Sequence, residues 1–396
     1  MTTLPAMNHP PTAPSTPPAF PDVRRRPRLL RRAFGAALAV LALLAATLTG
    51  GAPAMAQQDC GGGDAVVTGS QQQGFTTSYR GQTVYQGESY IVAIWEAVGS
   101  LTPGRTSQES VSVMASGWIG HHTIDLPSHT SFEVCGTMDV GSATGRGAIE
   151  AFGATDVAIP HLTMTGRPWF GLHFGAVRGL HLGQITLDLT GGLGVRFDRE
   201  SPDSTSVVMD RIHVSGTDNH GVETWNVNGL DIGAVIARDV GYAGLLLNNT
   251  RNARIGLVDG HNVATGTGYA TFRMANTAGR AADGGYDTNV VVDKVVAHGG
   301  GRGIFCVSQS GGLHVGEVEL SGTGGNAVLI ENCYNVTLAS GTVDGGGEVR
   351  IASRSEFPLT RDVSITLEVN GTSVRESPCG ENITWRITGD APQHIC

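Results

Sequence analysis

The chain has 396 residues, of which 57 are glycine and 15% are charged, and aromatics are few. Its 26 basic and 35 acidic residues give a net charge of −9, with Lys294 the single lysine. This composition points away from a helix-rich protein and toward many short strands joined by tight turns. The excess of acid argues against a nucleic-acid partner.

In chain order, residues 1–23 are rich in Pro, Thr and Ala and read as disordered. A basic cluster of Arg24, Arg25, Arg26, Arg28, Arg31 and Arg32 then precedes an apolar run from Ala33 to Leu48. Ala54-Met55-Ala56 supplies a small-x-small cleavage pattern before Gln57, so residues 1–56 are expected to be an n-region and secretory signal peptide. As a membrane anchor the run is short. Arg31-Arg32-Ala33-Phe34 also allows a twin-arginine signal, although Leu30 precedes the pair. Export would give a secreted or periplasmic protein, expected to be a monomer with no stable membrane insertion. Without these residues, which hold six arginines and one aspartate, 20 basic and 34 acidic residues remain, a net charge of −14.

Export also permits disulfides among Cys60, Cys135, Cys306, Cys333, Cys379 and Cys396. Cys60–Cys135 and Cys379–Cys396 are the expected pairs, each tying down a terminus; spacing alone leaves connectivity open. No cysteine pair has zinc-ligand spacing. Residues 57–130 are less regular. Ser89-Tyr90-Ile91-Val92-Ala93-Ile94 and Val111-Ser112-Val113-Met114 read as strands of a capping segment and first coils.

From about residue 131 to 370 a five-residue phrase recurs: Leu172-His173-Phe174-Gly175-Ala176, Val195-Arg196-Phe197-Asp198-Arg199, Val222-Glu223-Thr224-Trp225-Asn226 and Leu245-Leu246-Leu247-Asn248-Asn249. It continues with Phe272-Arg273-Met274-Ala275-Asn276, Ile304-Phe305-Cys306-Val307-Ser308, Val328-Leu329-Ile330-Glu331-Asn332 and Val349-Arg350-Ile351-Ala352-Ser353. First and third positions are almost always apolar while the second and fourth vary, the period-two mark of a strand with one face in a core. The spacing, roughly 22 residues plus insertions, is that of one coil of a solenoid. Asn and Ser at the fifth position suit a stacked left-handed corner. A second strand recurs beside each phrase, from Leu180-His181-Leu182 to Val336-Thr337-Leu338. The expected fold is all-β: a single-stranded right-handed parallel β-helix whose stacked coils share one core. A C-terminal cap is expected at 371–396, with Val363–Leu367 and Ile383–Ile387 as strands near that end.

These coils, with their asparagine-rich turn column, resemble the pectin-lyase-like superfamily of secreted β-helix proteins. The resemblance implies fold more than activity, because the superfamily holds polysaccharide lyases, glycoside hydrolases, epimerases and glycan-binding proteins.

Aligned coils turn sequence into position. The second-position column reads His173, Arg196, Glu223, Leu246, Arg273, Phe305, Leu329, Arg350. Two residues before each phrase it reads Phe170, Leu193, His220, Ala243, Ala270, Arg302, Asn326, Gly347, and one earlier Trp169, Gly192, Asn219, Tyr242, Tyr269, Gly301, Gly325, Gly346. An outward patch of His220, Tyr242, Tyr269, Arg273 and Arg302 follows, with Asn219, Glu223, Trp225 and Asn248 as substrate-binding candidates. The inventory suits β-elimination of an acidic, uronate-containing polysaccharide. Arginine forks neutralise the carboxylate, His220 is the candidate base, and a tyrosine is the candidate acid or acts as both.

Plainer readings exist. The tyrosines can stack for stability, Arg273 and Glu223 can form a surface ladder, and His220 can cap a turn. A glycoside hydrolase needs two flanking carboxylates, for which Asp198, Asp218, Glu223 and Asp239 are candidates without a paired-aspartate signature. A non-catalytic glycan- or surface-binding protein is the remaining alternative. No cofactor is expected; Asp198 and Glu223 offer calcium only two acids. Gly299-Gly300-Gly301 and Gly345-Gly346-Gly347 are solenoid corners rather than phosphate loops.

Overall fold

The computed structural model describes residues 60–266 and 268–396. The expected n-region and signal peptide lie outside these residues. The described chain is a right-handed parallel β-solenoid of about 12 turns, 58% strand and 3% helix.

Each central coil is built from one long strand and one short one. The long strands, such as Arg178–Leu189, Ser204–Ser215, Val227–Arg238 and Thr250–His261, stack in parallel within an 18-stranded sheet. Their inward phase slips by one residue midway. In Arg178–Leu189 the core receives Leu180 and Leu182, then Ile185 and Leu187. Gly183 sits at that slip, where a Cβ would come within 2.2 Å of the Pro160 carbonyl oxygen. The slip bends the strand around two sides of the coil. The short strands, from Ile124–Asp125 to Gln393–His394, close the third side as a 12-stranded parallel sheet.

The period-two pattern sets the register of that sheet. The ladder runs Glu150, His173, Arg196, Glu223, Leu246, Arg273, Phe305, Leu329, Arg350, Arg375 in successive strands. This is the second-position column inferred from sequence, extended at both ends. One step slips: a bulge pairs Asn326 with Glu348 rather than Gly347. The inward partners Leu172, Phe174, Phe197, Phe272 and Ile304 are fully buried in one continuous core. Corner residues Ala176, Asn226, Asn249, Ser308 and Asn332 adopt the left-handed conformation, and the Asn249 Nδ2 donates to Asn226 Oδ1. Asn276 departs from this ladder: it is buried and donates to the Thr250 carbonyl.

The segment Ser89–Ile94 is a correction. It begins a helix, Tyr90–Gly99, rather than a strand. Ser89 is the N-cap, accepting from the Val92 N–H, and the buried residues Tyr90, Ile91, Ile94 and Ala97 recur at helical spacing. The helix packs against the antiparallel strands Ala65–Ser70, Gly74–Tyr79 and Gln82–Gly87, with Tyr90 against Phe75 at 5.1 Å. Glu109–Val113 is a strand, as read.

All six cysteines are paired. Cys60–Cys135 and Cys379–Cys396 are joined as expected, and Cys306 with Cys333 links adjacent coils. Among the described residues no helix is long and apolar enough to cross a membrane.

Candidate functional site

The outward face of the short-strand sheet carries an unusual load of buried polar groups. Glu150, His173, His220, Glu223 and Asn248 all lie there and all are less than 9% exposed. Five side chains of this face, His173, Arg196, Asn248, Arg273 and Arg350, hold a buried nitrogen with no partner among the described residues. An unsatisfied buried donor costs about 1–3 kcal/mol, so the concentration of such atoms on one face asks for a reason.

The N-terminal part of the column satisfies its own charge. Glu150 accepts from Arg146, from the Gly147 N–H and from His173. These bonds outweigh burial and hold its carboxyl below the usual range. His173 is packed between the rings of Phe152 and Phe170, and its Nε2 lies 3.6 Å from Asp198. Asp198 accepts from Ser201 and from the Glu200 N–H. Arg196 pairs with Glu223, which also accepts from the Trp225 indole at 2.7 Å. Sequence reasoning placed Glu223 and Trp225 toward a ligand; the structure engages them with each other, and Arg199 covers the Trp225 ring.

The middle coils differ. Tyr242 and Tyr269 stack with ring centroids 4.5 Å apart and planes 19° from parallel. The His220 ring packs edge-on to Tyr269 at 4.9 Å and lies 5.5 Å from Tyr242. Arg273 lies over the Tyr269 ring and the Phe305 ring, and Arg302 also lies over the Phe305 ring. Sequence alignment of the coils therefore brought together His220, both tyrosines and both arginines. Neither Arg273 nor Arg302 forms an ion pair among the described residues; Arg302 donates to the Asn326 amide oxygen at 3.3 Å. Burial weakens the hold of both guanidiniums on their charge; for Arg273 the nearby Arg302 and Arg354 add to that while Tyr269 and Glu223 oppose it, and for Arg302 Glu331 opposes it. The two cations are thus half-buried and close together, and neither is in an ion pair among the described residues.

His220 corrects the expectation of an exposed base. It is only 6% exposed. Its Nδ1 accepts the Ala243 N–H at 3.0 Å, so the neutral ring carries its proton on Nε2. Burial, then Arg273 and Arg196, push its pKa down to about 3. At neutral pH this imidazole is a donor packed against the phenols. Asn248 is likewise 4% exposed rather than a surface contact. Asn219 is partly exposed; its side chain accepts its neighbour's N–H, that of His220.

Two clefts flank the tyrosine pair. One of about 540 Å³ is lined by Tyr269, Arg302 and a floor of Gly268, Gly301 and Gly325. The other, of about 290 Å³, is lined by Trp169, Arg167, Asp218 and Asn219. The signal missed in the sequence was pairing: Glu223 is ion-paired with Arg196 and Asp198 is hydrogen-bonded, while Arg273 and Arg302 have no ion-pair partner among the described residues.

No family model, curated protein or solved structure matches this chain.

Proposed function

We propose that the protein is a secreted polysaccharide lyase of pectin-lyase-like architecture that cleaves a uronate-containing polymer, alginate- or pectin-like, by β-elimination. The observation that carries this reading is the pair Arg273 and Arg302, half-buried beside stacked phenols, neither of them in an ion pair among the described residues. A buried unpaired cation is costly unless an anion arrives to meet it. A uronate carboxylate fits a guanidinium fork in charge and shape. Secretion is supported by the sequence pattern of residues 1–56 and by three disulfides.

Arg273 and Arg302 would neutralise the carboxylate and so acidify the C5 proton. The Tyr269 phenol oxygen, once its own proton has passed to solvent, takes that proton. The C5–H electron pair becomes the C4=C5 double bond, the C4–O bond breaks, and the leaving oxygen takes a proton from the Tyr242 hydroxyl. Proton exchange between the stacked phenols or with water restores the pair. No water is consumed. His220, neutral and with Nε2–H outward from its backbone bond, positions the phenols. A hydrolase finds less support, because Glu223 is held by Arg196 and Trp225, and Asp198 by Ser201 and the Glu200 N–H.

The test is a panel of alginates, pectates and neutral glycans read by the ultraviolet absorbance of the unsaturated uronate. The wild type is expected to generate it on a uronate polymer, and Tyr269→Phe to lose about a hundredfold or more in kcat. Reducing ends without absorbance would instead assign a hydrolase; binding without either signal would assign a glycan-binding protein.

A further inference from the structure

Trp169 stands in the same row as the tyrosine pair. Backbone bonds link the row from coil to coil: Leu193 N–H to the Trp169 carbonyl, Asn219 N–H to that of Gly192, and Tyr242 N–H to that of Asn219. Three strand steps separate Trp169 from Tyr242, about 14 Å at the usual spacing. The rise of one coil is close to the rise of one sugar in an extended glycan.

Trp169 is 46% exposed, a large apolar surface for a side chain above a polar cleft. Trp95, Trp225 and Trp385 each donate the indole N–H to a protein acceptor. Trp169 has no such partner among the described residues. Its ring meets that of Phe170 edge-to-face, with centroids 6.4 Å apart, and close to half of the side chain stays exposed. The cleft around it, about 290 Å³, adds Arg167 paired with Asp218, and Asn219, which joins it to the tyrosine coil. An exposed aromatic face ringed by hydrogen-bonding groups is the chemistry that recognises a sugar ring, whose C–H face stacks while its hydroxyls bond at the rim.

We propose that Trp169 is a stacking subsite for a sugar of the same polyuronate chain, about three units from the bond that is cut. This rests on the lyase reading. With the Trp169 cleft on one side of the tyrosines and the glycine-floored cleft on the other, both running along the solenoid axis, the chain passes through the site and the enzyme cuts internally.

The experiment compares Trp169→Ala and Trp169→Phe with wild type on polygalacturonate and alginate polymers and on their trisaccharides. Trp169→Ala is expected to raise KM about tenfold on the polymer, the equivalent of 1.4 kcal/mol, with kcat unchanged. Trisaccharide kinetics stay at wild type, and Trp169→Phe restores most of the polymer affinity. Equal losses on polymer and trisaccharide, or none on either, overturn the subsite. If wild type eliminates neither polymer, the lyase reading fails separately. The subsite is then judged by migration in gels containing the same two polymers: retardation lost in Trp169→Ala supports it, and equal mobility overturns it.

Discussion

Replacing Arg273 with methionine separates ligand binding from stability. The Arg273 side chain lies between Leu246 and Phe305 in the outward ladder. Its Nε is buried without a partner, and no carboxylate pairs with it among the described residues. Methionine keeps the length and removes the charge. Relieving one unsatisfied buried donor recovers about 1–3 kcal/mol, while the lost contacts over Tyr269 and Phe305 cost about 0.5–1 kcal/mol each. The variant should therefore fall between about 1 kcal/mol less and about 2 kcal/mol more stable than wild type, seen as a midpoint within a few degrees of wild type in thermal unfolding by circular dichroism. The same change should abolish polyuronate turnover, and a polyuronate that raises the wild-type midpoint should leave the variant's unmoved. A variant destabilised by more than about 1 kcal/mol, or one that keeps its response to polyuronate, would refute the idea that Arg273 is held without a counter-charge for an incoming anion.

Other consequences follow from the charged column, the core and the turns. Arg196→Met removes the ion-pair partner of the buried Glu223 carboxylate, leaving the Trp225 indole as its hydrogen-bond donor and the Arg273 charge nearby, and should cost about 3 kcal/mol in urea unfolding. Arg196→Met combined with Glu223→Met should recover most of it, and additive losses would deny the coupling. The His220 pKa is lowered on folding, so the unfolded chain takes up the proton first as pH falls; stability is unaffected above about pH 6.5 and lost below it. Between pH 7.5 and 5 the wild type should lose about 2 kcal/mol that His220→Gln does not, and parallel pH profiles for the two would remove the buried neutral imidazole from the account. Cys306→Ala with Cys333→Ala opens a 27-residue link between adjacent coils and should cost about 3.5 kcal/mol on the chain-entropy relation, measured by the same urea titration under oxidising conditions. No loss in that variant would mean the unfolded chain gains nothing from release.

The solenoid was legible because its signal is local and repeated. A slip of one residue would turn His173, Arg196, Glu223 and Arg273 into the core, so the apolar alternation alone fixes the ladder. Glu348 escaped because a bulge adds one residue where the phrase spacing shortens. Ser89–Ile94 was misread because the five apolar residues Tyr90–Ile94 satisfy either period; the Ser89 cap and the apolar residues through Ala97 were the signals that separate them. Burial of His220, Glu223 and Asn248 could not be read from alternation. Alternation says which side of the sheet a residue takes, and the groups that cover that side come from other coils: Tyr242 and Tyr269 over His220, Arg196 beside Glu223. The His220 tautomer depends on an N–H from the next coil, at Ala243, and is equally invisible in one segment.

Charge along the column argues for where a polyanion would settle. From Glu150 to Glu223 two acids bracket two bases, His173 and Arg196, and each finds a partner on its own or a neighbouring coil. Beyond Leu246 that balance stops. Arg273 and Arg302 follow with Phe305 between them, and the next acids, Glu331 and Glu348, are taken by Arg354 and Arg350. The cation excess is therefore confined to two or three coils of an otherwise acidic molecule. A distant polyanion is repelled, and attraction begins only within about 8 Å at physiological salt. Binding should then depend on the ligand reaching along the groove far enough to place one carboxylate between the arginines, which is the demand that an extended glycan held at a remote aromatic subsite meets.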